Sequence, residues 1–128
     1  MALMESGEMY LETILILSQS GKAVRSIDVA EHMAYSKPSV SRAVGLLKEG
    51  GYVEVNSLGH LRLTESGREV AERIYERHRL LSEILMRLGV DEKTATEDAC
   101  KMEHYISDTS FAAIKAHLKE HPFADGAI

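Results

Sequence analysis

The feature that most constrains the fold is a change in hydrophobic spacing at residues 52–64. Apolar residues recur at helical spacing before and after this stretch. Within it, residues 52–55 and 60–64 alternate between apolar and polar, on either side of an Asn-Ser-Leu-Gly turn at 56–59. Alternation with period two indicates half-exposed strands, so we predict a two-stranded hairpin set among helices. Few small folds have a two-stranded hairpin with helices both before and after it in the chain.

Three amphipathic helices are predicted before the hairpin. The first follows the candidate N-cap Ser6 and stops at Gly21, and the second covers about 26–33. After a short turn, Ser36 caps a third helix with Pro38 in its first turn, a position that proline favours. Two short helices, a tight turn and then a hairpin give the order of a winged helix-turn-helix, whose second short helix reads DNA.

Three further helices are predicted after the hairpin. They run from Thr64 or Ser66 to Gly89, from Asp91 to about 106, and from Asp108 to about 121, and we predict a disordered tail at 123–128. The predicted fold class is mainly α with a small β-hairpin. An N-terminal winged helix-turn-helix domain occupies residues 1–70, and a C-terminal helical domain occupies 71–128.

The charge of the chain is unevenly distributed. A net charge of −5 argues against a protein that coats nucleic acid by bulk attraction. Residues 22–48 nevertheless carry a local charge of +3, and residues 91–128 carry −4. This asymmetry fits a nucleic-acid surface joined to an acidic, cation-holding segment. Ordinary solvated helix faces explain the charge pattern equally well.

Other features of the sequence concern the compartment. No apolar run approaches the roughly 18 residues that span a bilayer, and no export signal follows Met1. The single cysteine, Cys100, suits a reducing environment. We therefore expect a cytoplasmic protein that makes no contact with a membrane.

The start of the third helix is the strongest candidate for reading DNA. Its side chains are small or cationic and so can approach phosphates and base edges. Arg42 suits a bidentate pair with guanine, whereas Pro38 offers only an apolar contact to a thymine methyl group. The alternative is a protein–protein module in which the serines merely cap the helix. The predicted DNA-binding residues are Arg25, Ser36, Lys37, Pro38, Ser39, Ser41, Arg42, Lys48 and Arg62.

A second constellation suggests metal binding. Cys100, Glu103 and His104 stand at i, i+3 and i+4, which places a thiol, a carboxylate and an imidazole on one helical face. Such ligands favour a divalent transition ion over Mg²⁺ or Ca²⁺. From these three residues alone, the pattern is explained equally well by an alternative to a metal site, a surface Glu–His pair beside a buried cysteine.

Five segments resemble one known family. EMYL at 8–11, KPSVSR at 37–42, LRLT at 61–64, RHRLL at 77–81 and DACKMEH at 98–104 are similar, in order and spacing, to the diphtheria toxin repressor and manganese transport regulator family. The resemblance implies a metal-dependent repressor of metal-homeostasis genes, not an enzyme, in the short two-domain class without an SH3-like domain. It also implies a C-terminal dimerisation domain and a homodimer on a double-stranded operator, which two-fold symmetry makes palindromic.

The same resemblance implies a ligand set. Met9, Cys100, Glu103 and His104 match the activating site of the iron-responsive branch, whereas Glu12 and His78 match ligands of the manganese-responsive branch. Soft sulfur ligands disfavour Mn²⁺, so Fe²⁺ is the favoured ion, with Mn²⁺, Co²⁺, Ni²⁺ and Zn²⁺ remaining open. Without the resemblance, Met9 reads as core filler and His78 as a hydrogen-bonding histidine.

Two rival functions remain. A winged-helix regulator could respond to oxidation of Cys100, with Lys101 and His104 lowering the pKa of its thiol. A metal-dependent hydrolase is a weaker rival because no general base stands at the spacing of a known metallohydrolase motif.

Overall fold

The coordinates are a computed structural model that describes residues 4–121. The predicted disordered tail at 123–128 lies outside these residues. The chain divides into two compact units, Met1–Arg73 and Ile74–Ile128, which are described separately.

Three helices open the N-terminal unit, as the sequence predicts. They are α1 (Glu5–Ser18), α2 (Ser26–Met33) and α3 (Lys37–Glu49). The predicted cap of α3 is confirmed, because the Ser36 hydroxyl oxygen accepts the backbone N–H of Ser39 at 3.3 Å. The predicted cap Ser6 is wrong, because α1 begins at Glu5 and its N-cap is Met4. Their apolar stripes form the core of the unit, in which Leu11, Ile14, Val29, Val40 and Leu47 are all buried.

A three-stranded antiparallel sheet follows these helices in the same unit. The predicted hairpin is confirmed as β2 (Val53–Val55) and β3 (His60–Leu63). A third strand, β1 (Val24–Arg25), pairs with the other edge of β3, so the strand order is β1-β3-β2. Sequence periodicity missed β1 because two residues are too few to show alternation.

The first turn of α4 (Glu65–Arg87) packs closely on the residue before β2. Thr64 accepts a hydrogen bond from the N–H of Gly67 and donates its hydroxyl hydrogen to the carbonyl of Gly51. A Cβ atom at position 67 would lie 2.0 Å from the carbonyl oxygen of Tyr52. Only glycine fits this approach.

The C-terminal unit contains the rest of α4 together with α5 (Glu92–Met102) and α6 (Asp108–Glu120). The predicted extent of α5 to about 106 was too long, and the cap of α6 is Ser107 rather than Asp108. Leu88, the first residue after the end of α4, is 63% exposed. The core of this unit consists of Ile74, Leu81, Ala95, Ala99, Phe111 and Leu118.

Among the helices of residues 4–121, none combines the length and apolarity needed to cross a membrane.

The close approach at Gly67 makes a stability prediction. Gly67→Ala should destabilise the protein by about 1–3 kcal/mol, because the new methyl group collides with backbone rather than with a movable side chain. Denaturant unfolding measures this change.

The matched control is Gly45→Ala in α3, where an added Cβ meets nothing within 4 Å. Since glycine disfavours helix, this variant should gain about 0.5–1 kcal/mol. A neutral Gly67→Ala would show that the contact with Tyr52 is not tight in solution.

Candidate metal centre and nucleic-acid interface

A buried carboxylate lies at the end of α5. Glu103 is the C-cap of this helix and its exposed fraction is 0%. Its Oε2 lies 2.9 Å from Nδ1 of His78 on α4, and its Oε1 lies 3.3 Å from Nε2 of His104. The His104 side chain is only 1% exposed, and His78 is half-buried. Two imidazoles therefore contact the two oxygens of one carboxylate within the C-terminal unit.

Burial of this carboxylate needs compensation. An ionised carboxylate removed from water costs several kcal/mol unless cations or hydrogen-bond donors replace the solvent. Oε1 of Glu103 has no hydrogen-bond donor among the described residues, although His104 lies beside it. The position therefore suits a cation that takes oxygen and imidazole nitrogen together.

The spacing of these atoms fits such an ion. Two ligand atoms about 2.0–2.2 Å from one transition ion, at angles between octahedral and tetrahedral, lie about 2.8–3.6 Å apart. The contacts from Glu103 to His78 and to His104, at 2.9 Å and 3.3 Å, both fall in that interval. Imidazole nitrogen and carboxylate oxygen together suit Fe²⁺, Mn²⁺, Co²⁺, Ni²⁺ and Zn²⁺.

Cys100 lies one helical turn before Glu103 and is half-buried. Among residues 4–121, a candidate cluster is a group of three His, Cys, Asp or Glu side chains whose ligand atoms all lie within 4.8 Å of one another. Neither Cys100 nor His104 belongs to such a group. Of the three residues predicted to share one helical face, Glu103 and His104 are in contact. Ligation by the Cys100 thiol stays a prediction.

The predicted ligands Met9 and Glu12 lie on α1, in the N-terminal unit. Met9 is half-buried and Glu12 is buried. Between them, Tyr10 packs edge-on against Tyr35, with ring centroids 6.1 Å apart. Burial, and to a smaller extent the neighbouring Tyr35, raises the pKa of Tyr10. Ligation by Met9 and Glu12 also stays a prediction.

Sequence reasoning missed Arg77. It is buried and donates hydrogen bonds to the carbonyl oxygens of Glu103 and Ile106. A signal was present, because Arg77 stands three residues after Ile74 and four before Leu81, on the apolar stripe of α4. A charged residue on such a stripe needs a buried partner.

The predicted DNA-binding residues are all exposed in the N-terminal unit. Ser36 caps α3, and its hydroxyl also bonds that of Ser39 at 2.8 Å, so the capping interpretation is correct for Ser36. Lys37, Ser41 and Arg42 extend this exposed surface along α3. The helix N-terminus and its cations together form a surface suited to phosphate and base edges.

One face of the sheet adds further cations. Arg25 pairs in register with His60, and a guanidinium nitrogen of Arg25 lies 3.4 Å from Nε2 of His60. Since alternate residues of a strand share a face, Arg62 lies on the same side as His60. Glu54 is paired opposite Arg62. The sheet therefore presents two arginines to solvent, Arg25 on β1 and Arg62 on β3.

Comparison with known proteins gives one consistent result. The model for the N-terminal DNA binding domain of the iron dependent repressors matches residues 2–61, and the model for their metal binding and dimerisation domain matches residues 64–124. The chain is 32% identical, over 118 residues, to an uncharacterised HTH-type transcriptional regulator of Methanocaldococcus jannaschii, covering 91% of this chain and 94% of that one.

Two further relatives are longer. The diphtheria toxin repressor of Corynebacterium diphtheriae is 35% identical over 107 residues, which are 83% of this chain and 47% of that repressor. A solved manganese-dependent transcriptional repressor in complex with manganese is 32% identical, with a TM-score of 0.81 over 88% of this chain and 52% of that chain. The chain therefore spans about half the length of these two repressors.

The N-cap of α5, the helix whose C-cap is Glu103, is the titratable residue Asp91. Asp91 accepts the backbone N–H of Thr94 at 2.9 Å, and hydrogen bonds from the Thr94 backbone and then its side chain hold the pKa of Asp91 below its usual range. A lowered folded-state pKa stabilises the protein above the unfolded-state pKa of about 4, and this stabilisation is lost as pH falls through the lower folded-state value.

Asp91→Ala should therefore be less stable than the parent near neutral pH, and the difference should shrink as the pH falls below about 4. Unfolding curves across pH measure it. Ser107→Ala, which removes the cap of α6 that accepts from Ser110, has no titrating group and should show a constant difference. Parallel pH profiles for the two variants would contradict the assignment.

Proposed function

Because the chain belongs to the iron-dependent repressor family, we propose that it is a transcriptional repressor whose binding to operator DNA is controlled by a divalent transition-metal ion. The observation that carries the proposal is the buried Glu103 carboxylate between two imidazoles, in the segment that matches the family's metal-binding domain. The family consists of repressors rather than enzymes, and the comparisons lend no support to a redox function of Cys100.

We assign a separate function to each of the two domains predicted from the sequence. Residues 1–70 read DNA, and residues 71–128 hold the metal and form the homodimer. Because a two-fold dimer presents two copies of α3, the operator is a palindrome with half-sites about one DNA turn apart or a multiple of it. We place this repressor in the cytoplasm, where its operator is accessible.

The dimer surface is proposed from the exposed apolar side chains of the C-terminal unit. Phe111 and Leu118 are buried within the C-terminal unit itself. Among the described residues of that unit, Leu88, Met102 and Tyr105 are the large apolar side chains that remain exposed. These side chains are the better candidates for contact with a second copy.

His78, Glu103 and His104 would hold the ion, and Met9, Glu12 and Cys100 remain predicted ligands. The ion would supply positive charge to the buried Glu103 carboxylate. Fe²⁺ is the proposed ion because of the two predicted sulfur ligands, and Mn²⁺ is the alternative because Glu12 and His78 match the manganese-responsive branch. Imidazole and carboxylate alone accept either metal, as well as Co²⁺, Ni²⁺ or Zn²⁺.

Metal control requires that the ion binds the DNA-competent state more tightly than the other states. DNA then strengthens metal binding by the same factor. A coupling of about 1–3 kcal/mol, typical of allosteric proteins, corresponds to about 5- to 150-fold in DNA affinity. Within the C-terminal unit, the ion would strengthen the contact between His78 on α4 and Glu103 at the end of α5.

The central test measures DNA affinity with and without metal. DNA ligands are selected from a random pool with Fe²⁺ present, and affinity is measured anaerobically with Fe²⁺, with Mn²⁺ and with chelator. Wild-type protein should bind about 5- to 150-fold more tightly with metal. Glu103→Gln should lose this response because it removes the anionic ligand.

The matched control is Glu97→Gln, the same substitution at an exposed position of α5, which should keep the full response. Equal wild-type affinities with metal and with chelator would sink the proposal. A response to peroxide instead of metal, lost in Cys100→Ala, would favour the redox alternative.

A second test separates reading from metal binding. Arg42→Ala should weaken binding to the selected DNA by about 1–3 kcal/mol and leave metal uptake unchanged, since one bidentate base contact contributes about that much. Lys48→Ala, at a proposed phosphate contact, should instead weaken binding equally on selected and random DNA. Equal losses on both DNAs for Arg42→Ala would make it a phosphate contact.

A further inference from the structure

Arg77 is a buried cation whose role the ligand set does not explain. It lies on α4 with 3% of its surface exposed, immediately before the candidate ligand His78. A guanidinium in such a position needs several partners, because it has left water behind.

Its partners lie at the junction between α5 and α6. One terminal nitrogen of Arg77 donates to the carbonyl oxygens of Glu103 and Ile106, at 3.2 Å and 2.7 Å. The other pairs with the carboxylate of Asp108 in the first turn of α6. The guanidinium carbon also lies 5.4 Å from the ring centroid of Phe111, a cation–π distance.

These carbonyls are ones that a helix end leaves without helical partners. After α5 ends at Met102, backbone hydrogen bonds to the carbonyls of Ala99 and Met102 continue as far as Ile106. None of these bonds uses the carbonyl of Glu103 or of Ile106. Arg77 supplies donors to that backbone at two points. The position of Glu103 is therefore set by a side chain as well as by its own helix.

Consecutive residues of α4 thus contact the two ends of one glutamate. Arg77 bonds the main chain of Glu103, and His78 contacts its carboxylate. Since Arg77 donates its hydrogen bonds to carbonyls and to Asp108, the guanidinium does not take the carboxylate oxygens that an ion would need.

We propose that Arg77 is a positioning residue of the metal centre, which fixes the backbone of Glu103 and His104 in the geometry that receives the ion. This inference rests on the proposed function, because it assigns Arg77 a role toward the same ion. Groups that orient metal ligands without touching the metal typically change metal affinity by about 10- to 100-fold. The planar fork of arginine suits three acceptors, and the single ammonium of lysine does not reproduce it.

The test compares metal affinity with the stability of the metal-free protein. Arg77→Lys keeps the positive charge and loses the fork, and its dissociation constant for Mn²⁺ or Co²⁺ is measured by chelator competition on folded protein. We expect the constant to rise about 10- to 100-fold. Denaturant unfolding without metal shows separately how much the substitution destabilises the fold.

The matched control is Lys115→Met. The Nζ of Lys115 lies 2.9 Å from the carboxylate of Glu76, so this pair also joins α4 to α6, but it is partly exposed and does not involve Glu103. Its loss should leave the metal dissociation constant unchanged. A rise in both variants would mean that any loss of contact between α4 and α6 weakens the site, and would overturn the inference.

Asp108→Asn covers the case in which Arg77→Lys does not fold. The Asp108 side chain is 91% exposed, so its replacement weakens the anchor of Arg77 without burying a new group. The metal dissociation constant should rise in this variant too, by less than in Arg77→Lys. An unchanged constant in a folded Arg77 variant, or in Asp108→Asn where the Arg77 variant fails to fold, would overturn the positioning role. Failure of the wild-type protein to bind either ion would instead overturn the proposed function.

Discussion

Burial of the Glu103 carboxylate is the constraint around which the C-terminal unit is organised. A carboxylate with no exposed surface is stable only if hydrogen-bond donors or cations replace the water that would otherwise solvate it. Here His78 and His104 approach its oxygens, and Arg77 holds its carbonyl. An ordinary core would use an apolar residue at this position, because replacing buried ionic groups by packed apolar ones is often neutral or stabilising. The arrangement is therefore better explained by a ligand than by stability.

The N-terminal unit meets the opposite requirement. The cations predicted to contact DNA must remain in water to meet phosphates, and they lie on the exposed surfaces of α3 and of the sheet. The apolar side chains Val40, Val44 and Leu47 anchor α3 from the other side. A chain with a net charge of −5 can thus still present a basic surface, because only the local charge within a Debye length of about 10 Å matters to a bound DNA.

What could be predicted from the sequence depends on how far apart the interacting residues stand. Spacing within one element sufficed for most of the helices and for the hairpin. Glu103 and His104 are neighbours in the sequence, and both lie beyond the last residue of α5. The contact between His78 and Glu103 joins residues 25 positions apart, so periodicity could not place it. Family resemblance pointed to His78 as a ligand position, and the structure supplied its partner. Arg77 was missed because an arginine in a mostly polar helix is normally assumed to be solvated, although its spacing from Ile74 and Leu81 indicated burial.

On the proposed function, affinity for the ion and choice of ion belong to different residues. The contacts that the structure assembles around Glu103 are nitrogen and oxygen donors, which accept every divalent ion of the first transition row with affinities in the usual order. Discrimination against Mn²⁺ therefore has to come from sulfur, and Cys100 and Met9 are the candidates. Cys100 stands one turn from Glu103 on the same helix, so a change at this position would alter selectivity while the imidazoles, the carboxylate and the Arg77 anchor stay in place. Relatives on the same scaffold could thus differ in their metal through one or two side chains.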